Sequence, residues 1–150
     1  MTLKGRILVT GGTGSLGTAI LERAEQEGWD CEFTVFARNE EKINRTKSRF
    51  PSVECKVGDV QDLDFLRTVM PGHDIVIHAA AQKVVPLAEV NVRTSIITNV
   101  NGTIAVCQAA VECCVDRVVT VLTDKLVKST TIYGAEKFLA GGITREANTW

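Results

Sequence analysis

The sequence predicts a doubly wound α/β fold: an open parallel sheet of about five strands, in the order 3-2-1-4-5, with helices on both faces. Three observations predict it. Short apolar runs alternate with longer stretches of helical period along the chain. Ile75-Val76-Ile77 is apolar at consecutive positions rather than at every second one, which suits a parallel strand covered on both sides. A cluster of glycines directly follows the first run. Right-handed crossovers then leave 3-2-1-4-5 as the expected order, with ligands beyond the carboxyl ends of the strands, where that order reverses between strands 1 and 4.

The first strand covers residues 6–10 and ends in glycines. The first helix covers 15–27, with Leu16, Ala19, Ile20 and Ala24 on one side, and Gly28 stops it. Residues 32–37 form the second strand and 40–49 a polar helix stopped by Pro51. Residues 53–57 are the third strand, and 62–70 a short helix before Pro71-Gly72. The fourth strand spans 74–78. Residues 88–115 hold one or two helices, including 99–112. Residues 117–122 are the fifth strand, and 131–148 the last helix, weakened by Gly141-Gly142.

Length and composition fit one domain over residues 1–150, with 45% apolar and 23% charged residues. A net charge of −1 and the absence of a basic block argue against nucleic acid or an anionic membrane surface as partner. The five cysteines, Cys31, Cys55, Cys107, Cys113 and Cys114, form no C-x-x-C pair and no metal-ligand spacing with His73 or His78. They read as reduced, packed thiols of a cytoplasmic protein, with one of Cys113 and Cys114 facing out. Lys4-Gly5-Arg6 precedes only a short apolar run, so no secretory leader is expected, and no apolar stretch approaches the roughly 20 residues of a membrane span.

Residues 10–17, Thr10-Gly11-Gly12-Thr13-Gly14-Ser15-Leu16-Gly17, carry the spacing G-x-x-G-x-x-G between first strand and first helix. Gly11 permits the tight turn, Gly14 lets backbone approach a pyrophosphate, and Gly17 allows close helix–sheet packing. Thr13, Ser15 and Leu16 lie in the same phosphate loop, whose free N–H groups and helix dipole would hold the anion. The fold is thus of the Rossmann type. The second strand ends in Ala37-Arg38-Asn39, without the carboxylate that bonds a ribose 2′-hydroxyl. Arg38 can instead pair with a 2′-phosphate and stack on adenine, which favours NADP, with NAD as the alternative. In the other reading Arg38 is a solvated charge and Glu40 or Glu41 turns inward. Asp59-Val60 follows the third strand, where Asp59 serves either the adenine amino group or a helix N-cap.

Tyr133, the single tyrosine, and Lys137 are spaced i, i+4 on the last helix and share a face. An ammonium beside a phenol favours the phenolate, which can take a proton from a substrate hydroxyl. Thr123-Asp124-Lys125 closes the fifth strand and offers a hydroxyl, a carboxylate and an ammonium, or else a helix cap with solvated charges. His78, ending the fourth strand, reads as a packed residue rather than a catalyst. Asn99, in an otherwise apolar helix, either holds backbone or water near the site or takes an ordinary surface position.

Together these residues resemble extended short-chain dehydrogenases/reductases, and more narrowly the polysaccharide-biosynthesis group of nucleotide-sugar 4,6-dehydratases. The run from His78 to Glu89, HAAAQKVVPLAE, is similar to that group's H-A-A-A-x-K-H-V-P-x-x-E motif; Thr123-Asp124-Lys125 is similar to its S-T-D-K segment, and Thr98-Asn99-Val100-Asn101-Gly102-Thr103 to its T-N-x-x-G-T helix start. The resemblance implies a UDP-sugar substrate, UDP-N-acetylglucosamine, and a redox-neutral lyase reaction. Tyr133 would deprotonate the C4 hydroxyl while the C4 hydride passes to NADP⁺. Lys125 would remove the acidified C5 proton, Asp124 would protonate the departing C6 hydroxyl, and hydride would return to C6. Thr123 would orient the sugar, and Ala79, Ala80, Ala81, Lys83 and Asn99 would lie along the cofactor or substrate. A 4-epimerase or 4-reductase would share Tyr133 and Lys137 without needing Asp124-Lys125, and a non-catalytic NADP-binding module would need neither.

Val84 stands where the motif has histidine, Leu122 where it has serine, and Lys128-Ser129 where it has Asn-Pro. The group's C-terminal sugar-binding part has no counterpart in this sequence. The last helix then carries an apolar face, Ile132, Phe138, Leu139 and Ile143, without its usual cover, which favours a homo-oligomer or a fragment.

Overall fold

The computed structural model describes residues 4–124 and 130–150. Its centre is a five-stranded, all-parallel sheet in the order β3-β2-β1-β4-β5, as expected. The strands are β1 (Lys4–Thr10), β2 (Asp30–Ala37), β3 (Glu54–Val57), β4 (Ile75–His78) and β5 (Arg117–Thr120). The register sets Thr10 of β1 beside Phe36 of β2 and His78 of β4, so the three central strands end level. That shared edge is where the chain leaves the sheet three times, and the site forms there.

Alternation along β1 divides the core in two. Ile7 and Val9 pack with Leu21, Val35, Ile43 and Phe50 under helices α1 (Ser15–Glu27) and α2 (Glu40–Arg49). Leu8 faces the other way, with Phe36, Leu66, Met70, Val76 and Val106, under α3 (Leu63–Val69) and α6 (Gly102–Glu112). Each fully buried Leu, Ile or Phe contributes about 1.5–3 kcal/mol relative to exposure, so both faces of the sheet are needed to hold it.

Local signals place the helix ends. Gly28, at φ 61°, closes α1, and Trp29 N–H reaches back to the Ala24 carbonyl. Asn39 caps α2 through Lys42 N–H, Asp62 caps α3 through Phe65 N–H, and Thr131 caps α7 (Ile132–Glu146) through Gly134 N–H. Cys113 caps α6, and Cys114 faces out with φ 56°, a left-handed conformation uncommon for a residue with a Cβ.

Beyond shifts of one or two residues at the ends of β1, β2, β3, β4, α3 and α7, the structure differs from expectation as follows. The 88–115 stretch is not one or two helices: α4 (Val85–Val90) begins three residues earlier, α5 (Val92–Ile96) follows, and a π-helical turn, Ile97–Asn101, leads into α6. Strand β5 stops at Thr120, two residues before the expected end, although Val121 N–H still donates to the His78 carbonyl. Gly141 and Gly142 do not interrupt α7, which runs through them; Gly141 packs against Leu122. Of the apolar face of α7, Phe138 and Leu139 are exposed, while Ile132 and Ile143 are half-buried. Among the described residues no helix is long and apolar enough to cross a membrane.

Candidate functional site

A crevice of about 390 Å³ opens at the carboxyl ends of β1, β2 and β4, where the strand order reverses. One wall is the glycine turn. Gly11 sits at φ 68°, its N–H donates to the Phe36 carbonyl at 2.7 Å, and a Cβ there would stand 2.6 Å from Ala80 N. Gly17 packs on the turn itself, where a Cβ would meet the Gly12 carbonyl oxygen at 2.1 Å. The close contact that removes the side chain at Gly17 is therefore turn against helix, not the helix against sheet that the sequence suggested.

Helix α1 has Gly14 at its N-cap, with no side-chain cap and no acidic residue in its first turn. The N–H groups of Ser15, Leu16 and Gly17 lie too early in the helix for an intrahelical acceptor, so they and the helix dipole offer an anion site. Gly11, Thr13, Gly14 and Ser15 line the crevice, whereas the Leu16 side chain is exposed and Gly17 is buried beneath.

The second wall is the end of β2. Arg38 lines it and pairs with Asp59 at 3.4 Å, with more than half of the guanidinium side chain still exposed. Asp59 is not a helix N-cap; Asp62 has that role, and Asp59 Oδ1 accepts instead from Gln61 N–H. Glu41 pairs with Arg45 on the outside of α2, and neither it nor Glu40 enters the crevice. Val60 completes this wall, together with Asn39, Lys42 and Gly58. Those three were not singled out in the sequence; Lys42, four positions past Arg38, is the one whose charge gave a signal.

The third wall is the loop after β4, with Ala79, Ala80, Ala81 and Lys83, backed by Thr98 from the π-helical turn. Asn99 does not line the crevice. It is buried behind the loop, where Oδ1 accepts from Gln82 N–H at 2.8 Å and Nδ2 donates to the Gln82 carbonyl at 3.1 Å. The extra residue in the wide turn lets Thr98 and Asn99, neighbours in sequence, both point inward.

His78 is buried under this corner. Thr103 Oγ1 donates to the Asn99 carbonyl at 2.7 Å, so it accepts from His78 Nε2–H at 3.1 Å. His78 Nδ1 then accepts from Thr10 Oγ1–H at 2.7 Å, and Thr10 Oγ1 accepts from Ala80 N–H at 3.4 Å. This tautomer follows from the bonding network. Complete burial and the positive charge of Lys137 push the imidazole down to about 3, so it is neutral and structural.

Tyr133 and Lys137 lie one turn apart on α7, both buried. Lys137 Nζ donates to the Val121 carbonyl at 2.8 Å, and Val121 N–H donates to the His78 carbonyl at 3.0 Å, which ties the pair to the ends of β4 and β5, beside the crevice. The expected lowering of the phenol is absent in this state: burial, and then the charge of Glu136, push Tyr133 upward, while burial pushes Lys137 downward. Thr123 and Asp124 follow the end of β5, with Thr123 Oγ1 donating to Asp124 Oδ1 at 3.1 Å. Lys125 lies outside the described residues.

A larger hollow, about 540 Å³, lies beyond β5 between α6 and α7, lined in part by Cys107, Val118, Thr144 and Trp150. It has no glycine turn or helix N-terminus; Tyr133 and Lys137, expected at the cofactor, line neither this hollow nor the crevice. The smaller crevice, with the glycine turn and the uncapped helix start, is therefore the candidate site.

The family model described as "polysaccharide biosynthesis protein" matches residues 7–149. The chain belongs to that family. It is 35% identical over 147 residues to an inverting UDP-N-acetylglucosamine 4,6-dehydratase of Campylobacter jejuni, covering 97% of this chain and 44% of that protein. It is 36% identical over 138 residues to a UDP-glucose 4-epimerase of Rickettsia massiliae, covering 89% of this chain and 40% of that one. A Methanocaldococcus jannaschii protein described as an uncharacterized membrane protein is 37% identical over 150 residues, with 96% and 44% covered. The solved structure of Pen from Bacillus thuringiensis superposes with a TM-score of 0.91 at 30% identity, over 99% of this chain and 46% of that one. The family member described here thus spans less than half the length of these relatives.

Proposed function

We propose that this chain is the NADP-binding part of a nucleotide-sugar 4,6-dehydratase acting on UDP-N-acetylglucosamine in polysaccharide or glycan biosynthesis. One observation carries the reading: an uncapped, glycine-rich helix start opens into a crevice at the strand ends, and Lys137 ties α7, with Tyr133, to Val121, at the start of the segment that carries Thr123 and Asp124.

The crevice fits a nicotinamide dinucleotide. At Gly14 a Cβ would meet only the Gly11 carbonyl oxygen, at 3.2 Å, so the backbone there is open to a diphosphate. Arg38 supports NADP over NAD, because its guanidinium stands where the ribose end would lie and the end of β2 carries no carboxylate of its own, the neighbouring Asp59 being paired with Arg38. Bound there, the nicotinamide supplies a reversible hydride acceptor.

In this reading Tyr133 takes the proton of the C4 hydroxyl and Lys137 stabilises the phenolate by its charge. Thr123 orients the sugar, and Asp124 gives a proton to the departing C6 hydroxyl. Lys125, outside the described residues, removes the C5 proton. The 35% identical dehydratase supports dehydration, and the Thr123-Asp124-Lys125 sequence supports it over epimerisation, which needs no acid-base pair beyond Tyr133 and Lys137.

The test is incubation with UDP-N-acetylglucosamine and NADP⁺. Loss of one water from the sugar nucleotide is expected. A product of unchanged mass and inverted C4 would replace the reading by epimerase, and tighter binding of NADH than of NADPH would overturn the cofactor assignment.

A further inference from the structure

Helix α7 carries a buried carboxylate that the proposed chemistry does not use. Glu136, between Tyr133 and Lys137, is 2% exposed. Its Oε2 accepts from Ser95 Oγ–H at 2.7 Å and from Asn99 Nδ2–H at 2.6 Å. Its Oε1 is buried without a hydrogen-bond partner among the described residues. Such an orphan acceptor loses its water and gains no bond in return. An apolar side chain of similar volume is often as stable in place of a buried charge. Stability alone therefore gives no reason for glutamate here.

The reason lies in Asn99. An amide can be turned end for end at little cost unless its neighbours differ in kind. The Asn99 amide grips both polar groups of Gln82, N–H and carbonyl. Glu136 Oε2 accepts at the Nδ2 end, so it holds the amide to α7 in the orientation that leaves Oδ1 for the Gln82 N–H. Turned over, Asn99 would set two acceptors against each other at Glu136 and two donors at Gln82. Gln82 itself sits between Ala81 and Lys83, both of which line the crevice.

We propose that Glu136 is a positioning residue: by fixing the Asn99 amide it locks loop 79–83 of the crevice to the helix that carries Tyr133 and Lys137. The proposal rests on the crevice being the dinucleotide site, but its core is a mechanical link that can be read without ligand.

The test compares Glu136→Met and Glu136→Gln with the wild-type chain by residue-resolved amide exchange and by fluorescence titration with NADPH. Methionine keeps the volume and loses the acceptor. Exchange at the Gln82 amide should accelerate about tenfold or more while β1 amides stay protected, because one local bond opens rather than the fold. NADPH affinity should fall about fivefold or more, the loss of one positioned wall. Glutamine, whose carbonyl still accepts from Asn99, should restore both. Unchanged Gln82 exchange in Glu136→Met, equal acceleration at Gln82 and in β1, or no rescue by glutamine would overturn the proposal. Should methionine prevent folding, Glu136→Ala gives the same comparison. A wild-type chain that binds neither NADPH nor NADH would refute the proposed function, while the exchange comparison would still decide the link.

Discussion

Lys137 donates to the carbonyl oxygen of Val121, 2.8 Å away, one helical turn past Tyr133. The lysine thus ties α7 to the segment leaving β5. The phenol meanwhile is held protonated by burial and by the charge of Glu136.

Tyr133 is the single tyrosine of the chain, so its ionisation can be followed directly by ultraviolet difference absorbance. Because its folded value lies above the ordinary one, the stability it contributes is complete below the unfolded phenol's pKa and is lost as pH rises through the folded value. The titration should therefore fall above that of free tyrosine in the native chain. Adding NADP⁺ should lower it, since a cation beside the phenol favours the phenolate. A native midpoint at or below that of the unfolded chain would contradict the burial of Tyr133.

His78 should make the chain acid-sensitive. Its folded value, about 3, lies below the unfolded one of 6.5, so the unfolded state binds the proton first. The stabilisation present above pH 6.5 is lost as pH falls towards 3, on the order of 2 kcal/mol by pH 5. His73, also lowered by burial, adds to the slope in the same direction. Urea unfolding between pH 7 and 5 measures it. His78→Gln should flatten the dependence, and an unaltered slope would reject this source.

Two glycine substitutions should act in opposite directions. Gly17→Ala drives a methyl to 2.1 Å from the Gly12 carbonyl oxygen and should cost about 1–3 kcal/mol in urea unfolding, with loss of dinucleotide affinity. Gly142→Ala meets nothing within 4 Å in the interior of α7 and should stabilise by about 0.5–1 kcal/mol. Destabilisation by Gly142→Ala would mean that α7 needs the glycine for something other than space.

Arg38→Ala should weaken NADPH about tenfold or more and leave NADH nearly unchanged, since a charge-assisted bond to a 2′-phosphate is at stake. The same titrations should show Tyr133→Phe binding both cofactors like wild type while losing all turnover. Equal weakening of NADPH and NADH in Arg38→Ala would assign the arginine to the crevice wall rather than to cofactor choice.

The sequence by itself determined the strand order, the glycine turn and the bounds of α1 and α2, because these depend on local rules: apolar runs, a left-handed Gly28, Pro51 after α2, and right-handed crossovers. It placed Tyr133 and Lys137 on one helical face, but helical spacing does not say what lies opposite that face. Only the tertiary structure decided that Lys137 turns to Val121, that Asn99 grips Gln82 from behind the crevice, and that Asp59 pairs with Arg38 instead of capping a helix. It also brought Glu136 into contact with Ser95 and Asn99, residues about forty positions away in the chain. Hydrogen bonds and charge interactions of this kind depend on distance in space and on lost water, and neither is written in the order of the residues.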